Sequence, residues 1–569
     1  MRERNATSIE VPGVPRLGGA GLCRLSLLLG AALASSCTEP AGQEPSAARA
    51  HDASATDADE GPDAIDAPSP DSGGGETGCS RTVGPSDRFG GRTTITGEAT
   101  GFFHLEEIDG ASWLVTPEGN AFFAVSVEYV HPSWESMETY ERLYGNDRDR
   151  WAQDTVDTLG RIGINTIGSD HFDPRYEWLT ALEGAQPRMP YLLNLGNPDT
   201  AGPMPNGYAM RGARDHGRVV RWPDVFDPAE ERRMAERISM IVSRTADDEY
   251  LIGYLTNTEP NQSVFGYFSD WWQDTVRQAS GTPGKQAYVD HMEARYGTIE
   301  AFKAVYGGEP DGLEELLPTL TIRTDWFLPL DLSTLTPAEI TGLADRIRPS
   351  MEAINALESW DDLSGYAEPD YLEFVTQARW DAYDDHGAFL ATIAARYASI
   401  CHDAIRASDP DHLILGPKHM AGHHAYGLPR VVAVAEAPFQ DAMALNSYLE
   451  VETPSPPQIE GILEVHERTG LPIIFSEMGG FMAADHPIYG GGDDVDFYVK
   501  VANQDERGAR YDNYLTMIAR SLPMVFGASY YSTYDHAGAN WGVLSGSDFE
   551  PYQPLACAIG DWSFRIYDR

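Results

Sequence analysis

The chain has 569 residues and a mass of 62.4 kDa. Its 42% hydrophobic and 10% aromatic content suffices for a large core and excludes global disorder. With 87 acidic against 41 basic residues the formal charge is −46 and the pI near 4.5, which argues against a nucleic-acid partner because phosphates repel such a surface.

At the N-terminus, Arg16 and Arg24 precede an apolar run from Leu25 to Leu33, then small residues and Cys37. The run is shorter than the roughly 20 residues of a membrane-spanning helix, so residues 1–36 read as an export signal rather than structure. Leu33-Ala34-Ser35-Ser36-Cys37 is similar to a bacterial lipobox, which makes Cys37 the lipidation candidate, although Leu33 stands one position further from the cysteine than in that pattern. Ala32-Leu33-Ala34 also suits a conventional signal peptidase. The expectation is an exported protein, lipid-anchored at the bacterial cell envelope or otherwise secreted, that meets a membrane only through that anchor.

Residues 37–88 are rich in Ala, Asp, Ser, Pro and Gly and nearly devoid of large apolar side chains. Such a segment cannot bury enough surface to offset its chain entropy, and it reads as a disordered tether. Of the five cysteines, Cys79, Cys401 and Cys557 remain outside these roles; export permits a bridge such as Cys79 to Cys557, but the sequence leaves the pairing open. No spacing suggests metal ligands, and no cofactor is expected.

From Phe89 onward, short apolar runs alternate with helical patterns, the signature of repeated βα units. The predicted strands are 122–127, 165–168, 191–195, 250–255, 413–416, 442–445, 473–475 and 524–531, with helices over 151–161, 228–243, 388–407 and 459–468. Eight strands and intervening helices fit a closed (β/α)₈ TIM barrel over residues 89–569. After the fourth strand comes a long interval, about 261–380, whose first part is aromatic and helical, with Trp271 and Trp272. It reads as a helical insertion that either walls an active site or merely decorates the fold.

Two glutamates occupy the strand ends that barrel chemistry favours. The run Tyr250–Leu255 leads through Thr256-Asn257-Thr258 to Glu259 and a proline, and Ile473-Ile474-Phe475-Ser476 leads to Glu477 and glycines that allow close approach behind the carboxylate. A lone strand-end glutamate is usually solvated. The pair on the fourth and seventh strands instead suggests a retaining glycosidase, which needs two carboxyls about 5–5.5 Å apart.

Scattered blocks then carry a family resemblance. Trp113–Phe123, Leu159–Thr166, Gly284–Gly307 (with Arg295-Tyr296-Gly297), Asp409–Gly416, Gly527–His536, Asn540–Leu544 and Pro551-Tyr552 resemble, in order, segments of glycoside hydrolase clan A, nearest to the family 50 β-agarases and family 42 β-galactosidases. The resemblance implies that Glu477 is the nucleophile that forms a glycosyl-enzyme, and that Glu259 is the acid/base, whose pKa must then lie near neutrality. It implies that Tyr448, in Asn446-Ser447-Tyr448, hydrogen-bonds the nucleophile, and that Tyr530, Tyr531 and Asp535 end the eighth strand beside the sugar. Substrate-binding candidates are therefore Asn257, Thr258, Asn446, Tyr448, His419, Tyr531 and Asp535. Three have ordinary alternatives: Tyr448 as a strand-end aromatic, Tyr531 as a barrel-wall residue and His419 as surface.

One position departs from the clan. Asparagine usually precedes the acid/base and holds the sugar 2-hydroxyl; here Thr258 does, with Asn257 one residue earlier. A one-residue shift on a strand turns a side chain to the other face, so a bulge must present Asn257, or Thr258 substitutes, or recognition differs, or activity is lost. Lys418-His419 and His423-His424, after the fifth strand, read as sugar contacts or surface, with a metal site third; Glu128 and Asp170-His171 read likewise as sugar contacts or surface. The expected function is retaining hydrolysis of a β-linked glycan, for which the resemblance suggests an agarose-type galactan. The alternative from another class is an inactive barrel serving as a carbohydrate-binding surface lipoprotein. In either case the partner is a polysaccharide or oligosaccharide.

Overall fold

The computed structural model describes residues 84–132, 135–169, 177–195, 223–258, 278–306, 336–366, 380–421, 430–448, 456–484, 500–535 and 539–569, with short pieces at 214–215, 218–219, 275–276, 320–323, 329–330 and 374–376. The signal-like segment, Cys37 and Cys79 lie outside the described residues, as does most of the tether. Cys557 takes part in a disulfide, and Cys401 is free and buried.

The centre is a closed barrel of eight parallel strands: Ala124–Val127, Thr166–Ile167, Tyr191–Asn194, Leu251–Thr258, Leu413–Ala421, Met443–Ser447, Ile473–Gly479 and Val525–Tyr531, each paired with the next and the eighth with the first. The expected (β/α)₈ TIM barrel is therefore the fold. The helices cover the outside, because each strand turns alternate side chains in two directions. Ile414, Met443, Ile473 and Val525 pack outward with the helices in the main core, while Leu413, Leu415, Ala444, Ile474 and Phe526 fill the lumen in a second cluster.

Local signals set the helix ends. Helix Arg148–Ile162 starts at Asp147, whose side chain accepts the Arg150 amide, and stops at Gly163 with φ of 103°. Gly163 also permits close packing, since a Cβ there would stand 2.9 Å from the Gly560 Cα. Helix Pro228–Val242 has Asp227 as cap and proline in its first turn.

Several boundaries differ from the sequence expectation. The run from 122 to 127 divides at Phe123: Asn120–Phe122 belongs to a four-stranded antiparallel sheet with Arg92–Thr96, His104–Ile108 and Ala111–Val115. This sheet was not anticipated, because its strands are short and half-polar. Leu114 and Phe122 of this sheet, with Phe89 and Phe103 from the segments leading into its strands, join the lumen residues in one buried cluster and close the bottom of the barrel. The insertion is helical as expected at Pro283–Tyr296, Ile299–Tyr306, Pro337–Asn355 and Trp360–Gly365, but it also contains a three-stranded antiparallel sheet of Leu320–Arg323, Pro329–Leu330 and Phe374–Thr376. The fourth, fifth and seventh strands run further than predicted, carrying Asn257, Lys418 and Glu477 within them.

Candidate active site

The lumen changes from apolar to charged toward the C-terminal ends of the strands, and Glu477 is at the centre of that change. Along the pairing of the sixth and seventh strands, Leu445 faces Phe475 but Asn446 faces Glu477, so Ser476 is one residue extra. This bulge sets Ser476 Oγ 2.7 Å from Asn446 Oδ1, to which it donates, and leaves Glu477 free to turn inward. Glu477 is 3% exposed. Its Oε2 accepts a short hydrogen bond from the Tyr448 phenol, and its Oε1 lies 2.5 Å from Lys418 Nζ. The glycines behind it are required: Gly479 has φ of 93°, and a Cβ there would stand 2.4 Å from the Tyr530 ring.

Lys418 reaches this place through another irregularity. Gly416 on the fifth strand has φ of 70°, and the pairing with the fourth strand shifts around it. Leu413 and Leu415 point into the lumen, and the shift at Gly416 lets Lys418 do so as well. The ammonium is fully buried and lies 3.6 Å from Glu128 Oε2 on its other side. Glu128 follows the first strand and is itself buried. Its Oε2 accepts from the Ser169 amide (2.9 Å) and hydroxyl (3.1 Å), and its Oε1 accepts from Ser529 Oγ (2.5 Å). Gly168 makes room, since a Cβ would stand 2.5 Å from Glu128 Oε1. Buried charges are tolerated when they are paired and hydrogen-bonded, and here an ammonium is shared between two carboxylates.

From the sequence, Lys418 and Glu128 read as sugar contacts or surface, with a metal site third for the Lys418-His419 pair, and not as a linked charge pair. A signal was present: Leu413-Ile414-Leu415 runs through a glycine and a proline into Lys418, so the strand continues past the point where its apolar run stops.

The remaining expected residues divide. Tyr448 and Asn446 stand beside Glu477. Tyr531 lies in an aromatic group next to them, its ring 6.1 Å from that of Tyr448, 5.3 Å from Tyr129 and 5.6 Å from Trp541. Asn257 is buried, and the fourth strand has a register shift between Leu255 and Asn257. A bulge of the kind needed to re-aim Asn257 is thus present. Thr258 ends the strand, paired with Lys418, and Glu259 follows outside the described residues, as do Asp170, His171, Trp271, Trp272, His423 and His424.

Two expectations need correction. His419 is not at the mouth: it is the outward neighbour of Lys418, fully buried, with Nε2 2.7 Å from Glu436 Oε2 on the helical layer. A sugar cannot reach it there. Asp535 has a structural task, because Oδ1 accepts the Gly542 amide (2.9 Å) and Oδ2 the Gly546 amide (3.3 Å) and the Tyr552 hydroxyl (2.5 Å). Burial pushes its pKa up, against the lowering effect of these bonds. Among the described residues no group of three or more His, Cys, Asp or Glu side chains could hold a metal, and no helix is long and apolar enough to cross a membrane.

No family model matches the chain. Beta-agarase B of Vibrio sp. (strain JT0107) is 20% identical in an alignment covering 83% of this chain and 49% of that protein, so the chain spans about half the length of this curated relative. Among solved structures, an agarase and an exo-beta-agarase each superpose with a TM-score of 0.61 at 19% identity, covering 86% of this chain and 68% of theirs. The chain therefore resembles the family 50 agarases in sequence and has their barrel fold.

Proposed function

We propose that this protein is a glycoside hydrolase that cleaves a β-linked galactan with retention of configuration, Glu477 acting as nucleophile and Glu259 as acid/base. The carrying observation is the setting of Glu477. It is a strand-end carboxylate of a TM barrel, buried, and held between an ammonium and a phenol that both favour its charged form. Barrels place their chemistry at that face, and an ionised carboxylate is what attack on an anomeric carbon requires. The likeness to agarases supports the substrate class.

In the proposed reaction a Glu477 oxygen bonds to the anomeric carbon while Glu259 protonates the departing glycosidic oxygen. Glu259 then takes a proton from water, which displaces Glu477. We further propose that the protein acts outside the cell, carried by the signal-like segment and held by a lipid on Cys37 or released. Palmitate labelling that is lost in Cys37→Ser supports the anchor, whereas an unlabelled, freely soluble wild-type protein removes it.

The test is azide rescue. Glu477→Ala should abolish turnover, and azide should restore it on an activated aryl glycoside with an inverted glycosyl azide as product. Glu259→Ala should keep turnover of activated aryl glycosides and yield a glycosyl azide of retained configuration. Thr258 in place of the clan asparagine favours a second reading, a barrel that binds glycans without cleaving them. Oligosaccharide binding by calorimetry with no reducing-end release across a panel of β-glycans would decide for that reading.

A further inference from the structure

Lys418 is a buried charge in the lumen that meets two carboxylates, and glycoside hydrolysis as such does not call for it. Its ammonium lies between two carboxylates with unequal surroundings. Glu128 is held by Ser169 from the second strand end and Ser529 from the eighth strand, through the Ser169 amide and two serine hydroxyls. Glu477 is met by the neutral Tyr448 phenol and by the ammonium at 2.5 Å, closer than the 3.6 Å from the ammonium to Glu128. The network thus joins residues on or just beyond six of the eight strands, and the cation stands nearer the carboxylate to which the reaction is assigned.

We propose that Lys418 is a positioning residue for the nucleophile, a fixed ammonium that keeps Glu477 ionised and aimed, and that Glu128 is the counter-charge holding that ammonium in the lumen. This rests on the reading of Glu477 as nucleophile. The physical argument is one of sign and distance. An ammonium in hydrogen-bond contact favours the charged carboxylate, and it does so strongly where water is excluded. Glu128 has ample donors of its own, so loss of the cation should leave it charged. Glu477 would then face a second carboxylate without the intervening cation, and like charges sharing a buried site cannot both remain ionised. One proton should enter, on Glu477. Glu128 also divides the pull of the ammonium, so its removal should act in the opposite sense.

The test reads protonation directly and needs no turnover, so its failure is distinct from a failure of the hydrolase reading. Isotope-edited difference infrared spectroscopy on the full chain at neutral pH, with labelled glutamate, compares wild type with Lys418→Gln, which keeps similar length and donors but no charge. The expected result is one additional carbonyl band of an un-ionised carboxyl in Lys418→Gln, beyond any that the acid/base Glu259 gives wild type, not seen in Lys418→Arg and lost again in Lys418→Gln/Glu477→Gln. No added band in a folded Lys418→Gln overturns the proposal, as does an added band that survives the Glu477 substitution and disappears with Glu128→Gln. Should Lys418→Gln not fold, Glu128→Gln leaves the ammonium in place and serves instead. The acid-side titration of Glu477, taken as the difference from Glu128→Gln/Glu477→Gln, should move to lower pH than in wild type. An unchanged or higher midpoint overturns the proposal.

Discussion

At the scale of single residues, the geometry around Glu477 makes Tyr448 consequential. Tyr448 is 6% exposed, and its phenol donates to Glu477 Oε2 while Lys418 meets Oε1. A hydrogen bond to a charged group is worth about 1.5–3 kcal/mol, and every 1.36 kcal/mol is about tenfold in rate. With Glu477 as the proposed nucleophile, Tyr448→Phe should therefore lower kcat/KM by about 10- to 100-fold on any glycoside the protein turns over, with the melting temperature nearly unchanged. A fall below threefold would show that the bond does not serve catalysis. Lys285 offers a second residue-scale prediction. Its buried ammonium donates to the Val276 carbonyl (2.8 Å) and to the Tyr366 carbonyl, and burial pushes its pKa down to about 8 from 10.5. The unfolded chain therefore holds more protons at Lys285 than the folded one between about pH 8 and 10.5, so stability rises with pH across that window. Denaturant unfolding should show wild type gaining on Lys285→Met from pH 8 upward; a constant difference would refute the shift.

At the scale of elements, the site is made by irregularities in regular strands. A strand that alternates strictly cannot turn both Ser476 and Glu477 inward, nor Lys418 after Leu413 and Leu415; the bulges at Ser476 and Gly416 remove that restriction. Gly168 at the second strand has a different use. A Cβ there would stand 2.4 Å from the Val127 carbonyl and 2.5 Å from Glu128. Gly168→Ala must displace backbone as well as carboxylate, and should cost about 1–3 kcal/mol of stability by the usual scale of overpacking. It should also weaken the hold on Lys418, which the carbonyl band above would register. The residue types at these strand ends were readable, Glu477 and Tyr448 among them. The bulges were not, since a register shift is decided by pairing with a neighbour more than twenty residues away in the chain.

For the whole molecule, the small N-terminal sheet packs on the apolar lumen at the N-terminal end of the barrel, and the charged residues stand at the other end. Phe103 is completely buried in that packing against Phe89 and Phe122. Phe103→Ala should destabilise by about 3–5 kcal/mol, measured by equilibrium unfolding, while leaving the Glu477 network intact. The net charge of −46 acts on the same balance through self-repulsion, which salt screens. The melting temperature should therefore rise as ionic strength is raised from a low value at constant pH, and a flat response would mean that the charges are already paired or well separated.

The sequence by itself determined the alternation of strands and helices, hence the barrel, and it marked Glu477 and Tyr448 because strand ends at a barrel face are where polar residues serve chemistry. Only the tertiary structure decided which way the other polar residues near the strand ends point. His419 and Lys418 are adjacent and equally polar, yet one is paired to Glu436 under a helix and the other is inside the lumen on Glu477. Asp535, read as a sugar contact, instead holds the loop after the eighth strand. Side-chain direction in a strand depends on register, and register is a property of pairs of strands rather than of either one alone.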